Sequence, residues 1–209
     1  MEKNQWKSER NKVSLEKIVW ALRGLFYKGV FGHFGNYSYI GKPVSIVGKR
    51  KIYISDRVRI YPGVRMETHG NGKIEIGENT SIGQNVHITS GNEKLIIGKN
   101  TTILGNVFIT NIDHNYKEIG KHILDQRYII STTKIGDNCF IGYGACIQAG
   151  TVLGKQCVVG ANAVVRGIFP DFSVIVGVPA RVVKKYSLRT KTWERVEQGQ
   201  YDKCNYTDV

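Results

Sequence analysis

The sequence predicts an all-β chain wound as a three-sided parallel solenoid. Three observations predict it: aliphatic residues at every sixth position, a small residue or threonine four places after each, and abundant glycine. Ile129, Ile135, Ile141, Ile147, Leu153, Val159 and Val165 fill every sixth place without a gap. Thr133, Cys139, Ala145, Thr151, Cys157 and Ala163 follow four residues behind, and Gly136, Gly142, Gly154 and Gly160 sit directly after an aliphatic residue. The chain carries 24 Gly against 4 Pro in 209 residues, which without a collagen period marks many tight turns. A period of six fits neither the helical repeat of about 3.6 nor the strand repeat of about 2. It fits short strands separated by turns, three hexads to a coil, with Gly permitting each corner and each coil burying its inner residues against the next.

The same phase runs upstream. Ile76, Ile82 and Ile88 form one coil, Ile97, Ile103 and Ile109 another, Ile54, Ile60 and Met66 an earlier one, and Ile40 and Ile46 an edge. The nine-residue step from Ile88 to Ile97 reads as a short extrusion at Ser90–Lys94. The chain therefore divides into an amphipathic helical segment at 1–35, a solenoid at 36–185 with an extruded loop at 110–128, and a polar arm or helix at 186–209. Within the first segment, residues 12–31 read as an amphipathic helix with Ser14 as N-cap and Gly32 as stop. Its apolar residues Ile18, Val19, Leu22, Leu25 and Phe26, mixed with Lys, Arg, Trp20 and Tyr27, suit a membrane surface. They suit capping of the open first coil equally well.

Composition narrows the partners. Thirty Lys+Arg against 17 Asp+Glu give a net charge of +13, which favours anionic partners such as an acidic glycan, an anionic membrane or a phosphorylated cofactor. No helix-turn-helix, zinc-finger or aromatic RNA-binding motif is present, so nucleic acid is not expected. Cys139, Cys146, Cys157 and Cys204 form no CxxC and no metal-ligand spacing, so neither a disulfide framework nor a metal site is expected. Met1–Asn11 is charged without a signal-peptide pattern, and no apolar run is long enough to span a bilayer. These features predict a cytoplasmic protein, with the inner membrane face open as a location.

The stretch Ile135-Gly-Asp-Asn-Cys-Phe-Ile-Gly-Tyr-Gly-Ala-Cys-Ile-Gln-Ala-Gly-Thr-Val-Leu-Gly resembles the hexapeptide-repeat acyltransferases, and Val176-Gly-Val-Pro-Ala-Arg-Val-Val-Lys-Lys resembles that family's closing segment. The resemblance spans roughly residues 38–185. It implies a left-handed β-helix, a homotrimer with active sites between subunits, and acetyl-CoA as co-substrate. Family members act on maltose, galactosides, serine, antibiotics, and capsule or O-antigen sugars. The basic surface and amphipathic N-terminus resemble the polysaccharide members, so O-acetylation of a capsule or lipopolysaccharide sugar is the leading expectation.

Residues 110–127 are polar and break the hexad, and a loop leaving a rigid solenoid is where function tends to sit. Asn111-Ile112-Asp113-His114 follows directly from the last ordered hexad, placing His114 beside a stiff wall. Histidine accepts a proton near neutral pH, which a hydroxyl nucleophile requires. The resembled family also has its catalytic histidine at this junction, so His114 is the expected general base. Asp113 either orients the imidazole or holds the turn. Asn85 matches a position near the acceptor in sugar-acetylating relatives, and an asparagine ladder at a coil corner explains it equally well. His122, in the loop, is a candidate acceptor contact. Phe140 stands where many relatives carry Trp. His87 occupies an outward hexad place and is expected to face solvent. Cys139 and Cys157 read as buried filler, so direct attack without an acyl-enzyme is expected.

By resemblance, the cofactor arm would lie along Gly142, Tyr143, Gly160 and Ala161. Arg166, Arg181, Lys184 and Lys185 cluster after the coils, as targets for CoA phosphates. Another enzyme class on this fold, the γ-type carbonic anhydrases, binds zinc with three histidines. His87, His114 and His122 could be nominated, although that family's ligand pattern is not matched.

Overall fold

The computed structural model describes residues 15–196. Ser14, Cys204 and the parts of the two terminal segments outside this range lie beyond the described residues. A helix, α1 (Leu15–Lys28), is followed by a parallel β-helix of three sheets with seven strands on the first face, nine on the second and six on the third. Each coil visits the faces in turn. The fourth, for example, uses Lys94–Ile97, Thr102–Ile103 and Phe108–Thr110. Coils stack in register, with Ile54 over Ile76, Ile60 over Ile82 and Met66 over Ile88, so the upstream coil and the edge at Ile40 and Ile46 both stand. This is the predicted prism, consistent with a left-handed β-helix.

The inward ladder is dry. Ile54, Ile60, Ile82, Ile88, Ile141, Ile147 and Val165 are all fully buried. Each such side chain contributes about 1.5–3 kcal/mol relative to an exposed one. The threonines of the small-residue position are buried because their hydroxyls bond carbonyls: Thr101 Oγ1 donates to Gly136 O (3.0 Å) and Thr151 Oγ1 to Val165 O (2.9 Å). Cys139 and Cys157 are buried filler, as predicted, each thiol lying 3.2 Å from a carbonyl oxygen, of Gly154 and Pro170.

Several expectations change. Gly136 and Gly142 do not turn corners by adopting positive φ. The left-handed residues are Asn138, Gly144, Gln156 and Asn162, two places further on. Gly136 and Gly142 are required by close approach: a Cβ there would lie 2.4 Å from Gly154 O and 2.5 Å from Ala161 N. Ile129 is not part of the inward ladder but half-buried in a hairpin, so the interrupted ladder resumes at Ile135 over Ile97. The extrusion at Ser90–Lys94 is instead a strand extension, His87–Gly91, paired with Arg65–His69 and closed by a tight turn at Asn92. The C-terminal arm is not helical over the described residues. Ala180–Ser187 and Thr192–Arg195 form antiparallel strands that prolong the second face.

Candidate active site

The two extended strands create the site's floor. Arg65–His69 and His87–Gly91 pair with Glu67 beside Thr89 and His69 beside Gly91. Met66, Thr68, Ile88 and Ser90 point into the prism and are buried, so alternation directs Arg65, Glu67, His69, His87 and Thr89 outward. The predicted loop forms the roof. It is a β-hairpin, Ile112–His114 against Tyr128–Ile130, with a 3-10 turn at Ile123–Asp125 near its tip.

The hairpin is rooted by Asn111, whose side chain is fully buried. Gly91 N–H donates to Asn111 Oδ1 (2.7 Å), and Asn111 Nδ2 donates to Gly91 O (3.2 Å). Further out, Gln126 Nε2 donates to the carbonyls of Glu118 (3.2 Å) and Lys121 (3.0 Å), closing the tip on itself. Arg166 Nη1, from the sixth coil, meets Asp113 Oδ2 at 3.0 Å and ties the hairpin back to the solenoid.

Between floor and roof lies a cavity of about 810 Å³. His87, Thr89, Phe108, Cys146 and Gln148 line it below, and Ile112, His114, Leu124, Tyr128 and Ile130 above. The exposed His114 ring stands edge-on to Tyr128, with centroids 4.9 Å apart at 70°. Among the described residues, the His114 imidazole has no hydrogen-bond partner, so its nitrogens are left for a ligand.

The floor carries a polar network. Arg65 Nε donates to Glu67 Oε1 (2.7 Å), and this bond holds the Glu67 carboxyl below the usual carboxylate range. Glu67 Oε2 lies 3.8 Å from His87 Nε2 and 3.9 Å from His69 Nε2. Burial pushes the His87 pKa below that of a free histidine, which favours the neutral ring at pH 7. His87 Nε2 is 2.8 Å from Thr89 Oγ1, and the ring packs on Phe108 with centroids 5.1 Å apart. Burial also raises the pKa of the Cys146 thiol, which disfavours the thiolate.

Residues 132–166 match the model for the hexapeptide repeat of succinyl-transferase. The chain is 39% identical over 143 residues to a protein of Escherichia coli K12 named as the lipopolysaccharide biosynthesis O-acetyl transferase WbbJ, covering 64% of this chain and 71% of that one. The chain belongs to the hexapeptide-repeat acyltransferase family. A serine acetyltransferase of Staphylococcus aureus Mu50 is 33% identical over 143 residues, covering 66% of this acyltransferase and 54% of the relative. Among solved structures, AntD, an N-acyltransferase from Bacillus cereus in complex with dTDP and 3-hydroxybutyryl-CoA, shares the fold. Its TM-score is 0.67 at 19% identity, over 80% of this chain and 90% of that one.

The predicted site residues of this acyltransferase do not all converge. His114, Asp113 and Arg166 line the cavity. Asp113 accepts from its neighbour's backbone, His114 N–H (3.0 Å), and from Arg166, so it holds the hairpin and does not bond the imidazole. Arg166 is engaged by Asp113, whereas Arg181, Lys184 and Lys185 ride the strand Ala180–Ser187 on the second face. His122 caps the 3-10 turn, its Nδ1 accepting from Leu124 N–H (3.3 Å), and it is not among the cavity-lining residues. Asn85 is an exposed left-handed corner residue (φ 56°) whose side chain lies over Gly63 of the preceding coil.

Phe140 projects from the second face, in one register row with Val158, Val174 and Lys184. Gly142, Tyr143, Gly160 and Ala161 form the corner that follows the second face, where the Tyr143 hydroxyl meets Asn106 Nδ2. None of these five lines the His114 cavity of the same chain. His87, expected to face solvent, is roofed by the hairpin and lines the cavity. Arg65, Glu67, His69 and Tyr128 escaped sequence reasoning. The sequence signal was the pair of overlong steps, Met66 to Ile76 and Ile88 to Ile97, which lengthen the third face beside the hairpin root.

Proposed function

We propose that this acyltransferase moves an acetyl group from acetyl-CoA to a sugar hydroxyl, with His114 as general base, in an active site completed by a neighbouring copy in a homotrimer. The observation that carries the reading is the unpaired His114 imidazole, held on a rooted hairpin over a cavity of about 810 Å³. A hydroxyl attacks a thioester only as its proton leaves, and an imidazole free to accept is the minimum device for that. Acetyl-CoA supplies the activated acyl group. The raised pKa of Cys146 and the burial of Cys139 and Cys157 argue for direct attack without an acyl-enzyme.

The cavity suits a sugar. A carboxylate anchored by Arg65, a hydroxyl on Thr89 and neutral His87 offer acceptors and donors to several hydroxyls, while Phe108 and Tyr128 offer ring faces. The relative named for lipopolysaccharide biosynthesis supports a polysaccharide sugar as acceptor. His122, whose Nδ1 is taken by Leu124 N–H, does not line the cavity with His87 and His114, so the geometry does not favour a three-histidine zinc reading.

The second face fits acetyl-CoA. Tyr143 and Ala161 are exposed at its corner, and the strand bearing Arg181, Lys184 and Lys185 extends the same sheet, offering cations for phosphates. In one chain this wall and the His114 cavity belong to different faces. Packing the second face of one copy toward the third face of the next would bring them together, and a heterologous contact of that kind closes as a trimeric ring when each step is a threefold rotation.

The test is thiol release from acetyl-CoA across a panel of sugar acceptors. Wild-type turnover should fall by about 10²-fold or more in His114→Ala. Turnover retained in that variant would refute the general-base assignment.

A further inference from the structure

Helix α1 (Leu15–Lys28) is mounted with its apolar side turned away from the protein. Successive helical residues lie about 100° apart around the axis, which sorts its side chains into two opposed faces. The face toward the solenoid carries Trp20, whose ring centroid lies 5.9 Å from Tyr39 and 5.8 Å from Tyr61. It also carries Gly24, where a Cβ would come within 3.0 Å of the Phe34 ring and Ser38 O. Tyr27 on the same side packs edge-on to Phe31, and Arg23 Nη1 donates to Ile40 O (3.1 Å). The capping of the first coil is therefore done by aromatic rings, a glycine and a guanidinium.

Leu15, Val19, Leu22 and Phe26 form a single stripe on the opposite side, with Ile18 and Leu25 beside it. Leu15 is 79% exposed, Leu22 60% and Phe26 71%. An amphipathic helix on a globular domain ordinarily buries this stripe in its own core. Six large apolar side chains on one outward face mark a surface that meets something else.

The surrounding charge indicates what. Lys17 and Lys28 lie on the inner side of the helix beside the buried Gly24, and Lys28 Nζ donates to Asn36 Oδ1 (2.9 Å), so the outward cations come from beyond the helix. Beyond the helix, Lys49 and Arg50 are exposed on the 3-10 turn Lys49–Lys51, whose carbonyl at Lys49 accepts from Gly32 N–H (3.2 Å) and holds it beside the helix end. The sequence ahead of the helix adds Lys3, Lys7, Arg10 and Lys12 against Glu2 and Glu9. An apolar stripe with exposed cations near the helix end has the chemistry of a helix lying flat in an anionic lipid interface. No helix of the described residues is long and apolar enough to cross a bilayer, so contact would be peripheral.

We infer that α1 docks the protein on an anionic membrane surface, through Leu15, Val19, Leu22 and Phe26, with Lys49 and Arg50 engaging lipid phosphates. This contact lies at the N-terminal end of the solenoid, and does not depend on the identity of the acceptor or on His114.

The test is co-sedimentation of the full chain with vesicles of phosphatidylcholine alone and with about a third phosphatidylglycerol. The protein should pellet with the anionic vesicles and be released by high salt. The double variant Leu22→Ser/Phe26→Ser should lose on the order of a hundredfold in partitioning, since both side chains leave the lipid. Its circular dichroism, assembly mass and thiol-release turnover on a soluble acceptor should match the parent. A second variant, Lys49→Glu/Arg50→Glu, should weaken binding to anionic vesicles alone. A parent chain that stays in the supernatant, or a serine variant that pellets equally, overturns the inference. A change in assembly mass in that variant also overturns it, by giving the stripe to a second copy of the chain.

Discussion

Asn111→Ala removes the side chain that roots the hairpin carrying His114, three residues away. Two of its bonds have good geometry, 2.7 Å from Gly91 N–H and 3.2 Å to Gly91 O. The contacts to Glu93 O (3.4 Å) and Ser90 Oγ (3.5 Å) are marginal. Asn111 is fully buried, so truncation strands the Gly91 amide, while the Gly91 carbonyl keeps its bond from Glu93 N–H. Stranding that amide costs about 1–3 kcal/mol, less whatever an entering water restores. For a domain of this size that lowers the midpoint of thermal unfolding by roughly 2–12 °C. The assay pairs thermal unfolding by circular dichroism with thiol-release turnover at a temperature where the variant is fully folded. Turnover should fall further than the folded fraction, because the imidazole loses its fixed place. A midpoint shift under about 2 °C would refute the energetic argument. Turnover that merely tracks the folded fraction would refute the positioning argument.

Gly136→Ala should destabilise the chain by about 1–3 kcal/mol or more, since its Cβ would meet Gly154 O at 2.4 Å and that obstacle is backbone; chemical denaturation measures it. Breaking the Asp113–Arg166 pair by Arg166→Ala should cost at most about 1 kcal/mol, because both side chains are near 40% exposed, and a double-mutant cycle with Asp113→Asn reads the coupling. Acid should destabilise the cleft in two steps of the same sign. His87 is depressed by burial, so its contribution is complete above the free-histidine pKa of 6.5 and is lost as pH falls toward the lower folded value. Glu67 is depressed by its bond from Arg65, so its contribution is complete above 4.5 and is lost as pH falls through the folded value. Thermal midpoints from pH 8 to pH 4 should therefore decline, and His87→Gln should flatten the part nearest pH 6; a parallel decline in that variant would contradict the assignment.

The repeat was legible because burial imposes it. A three-sided prism repeats its inward positions every sixth residue, and water excludes polar side chains from those places, so Ile82, Ile141 and Val165 announce the fold locally. The place of His114 at the root of an extruded hairpin was legible because residues 110–127 make the longest break in that pattern. The floor of the cavity was not. Arg65, Glu67 and His69 lie more than forty residues before His114, and only stacking of the third coil on the second, with the hairpin laid across both, makes them neighbours.

The sequence by itself determined the solenoid, the place of its interruption and the amphipathic character of residues 15–28, because each is a local periodicity enforced by transfer of side chains from water. The tertiary structure decided which side of that helix faces outward, that Asp113 is taken by Arg166 and not by the imidazole, and that the His114 cavity and the basic second face lie on separate walls of the prism. Those are matters of which surfaces compete for contact in three dimensions. A hydrophobic pattern shows that a face will be buried, but the partner that buries it is chosen by shape and charge, which no window of sequence contains.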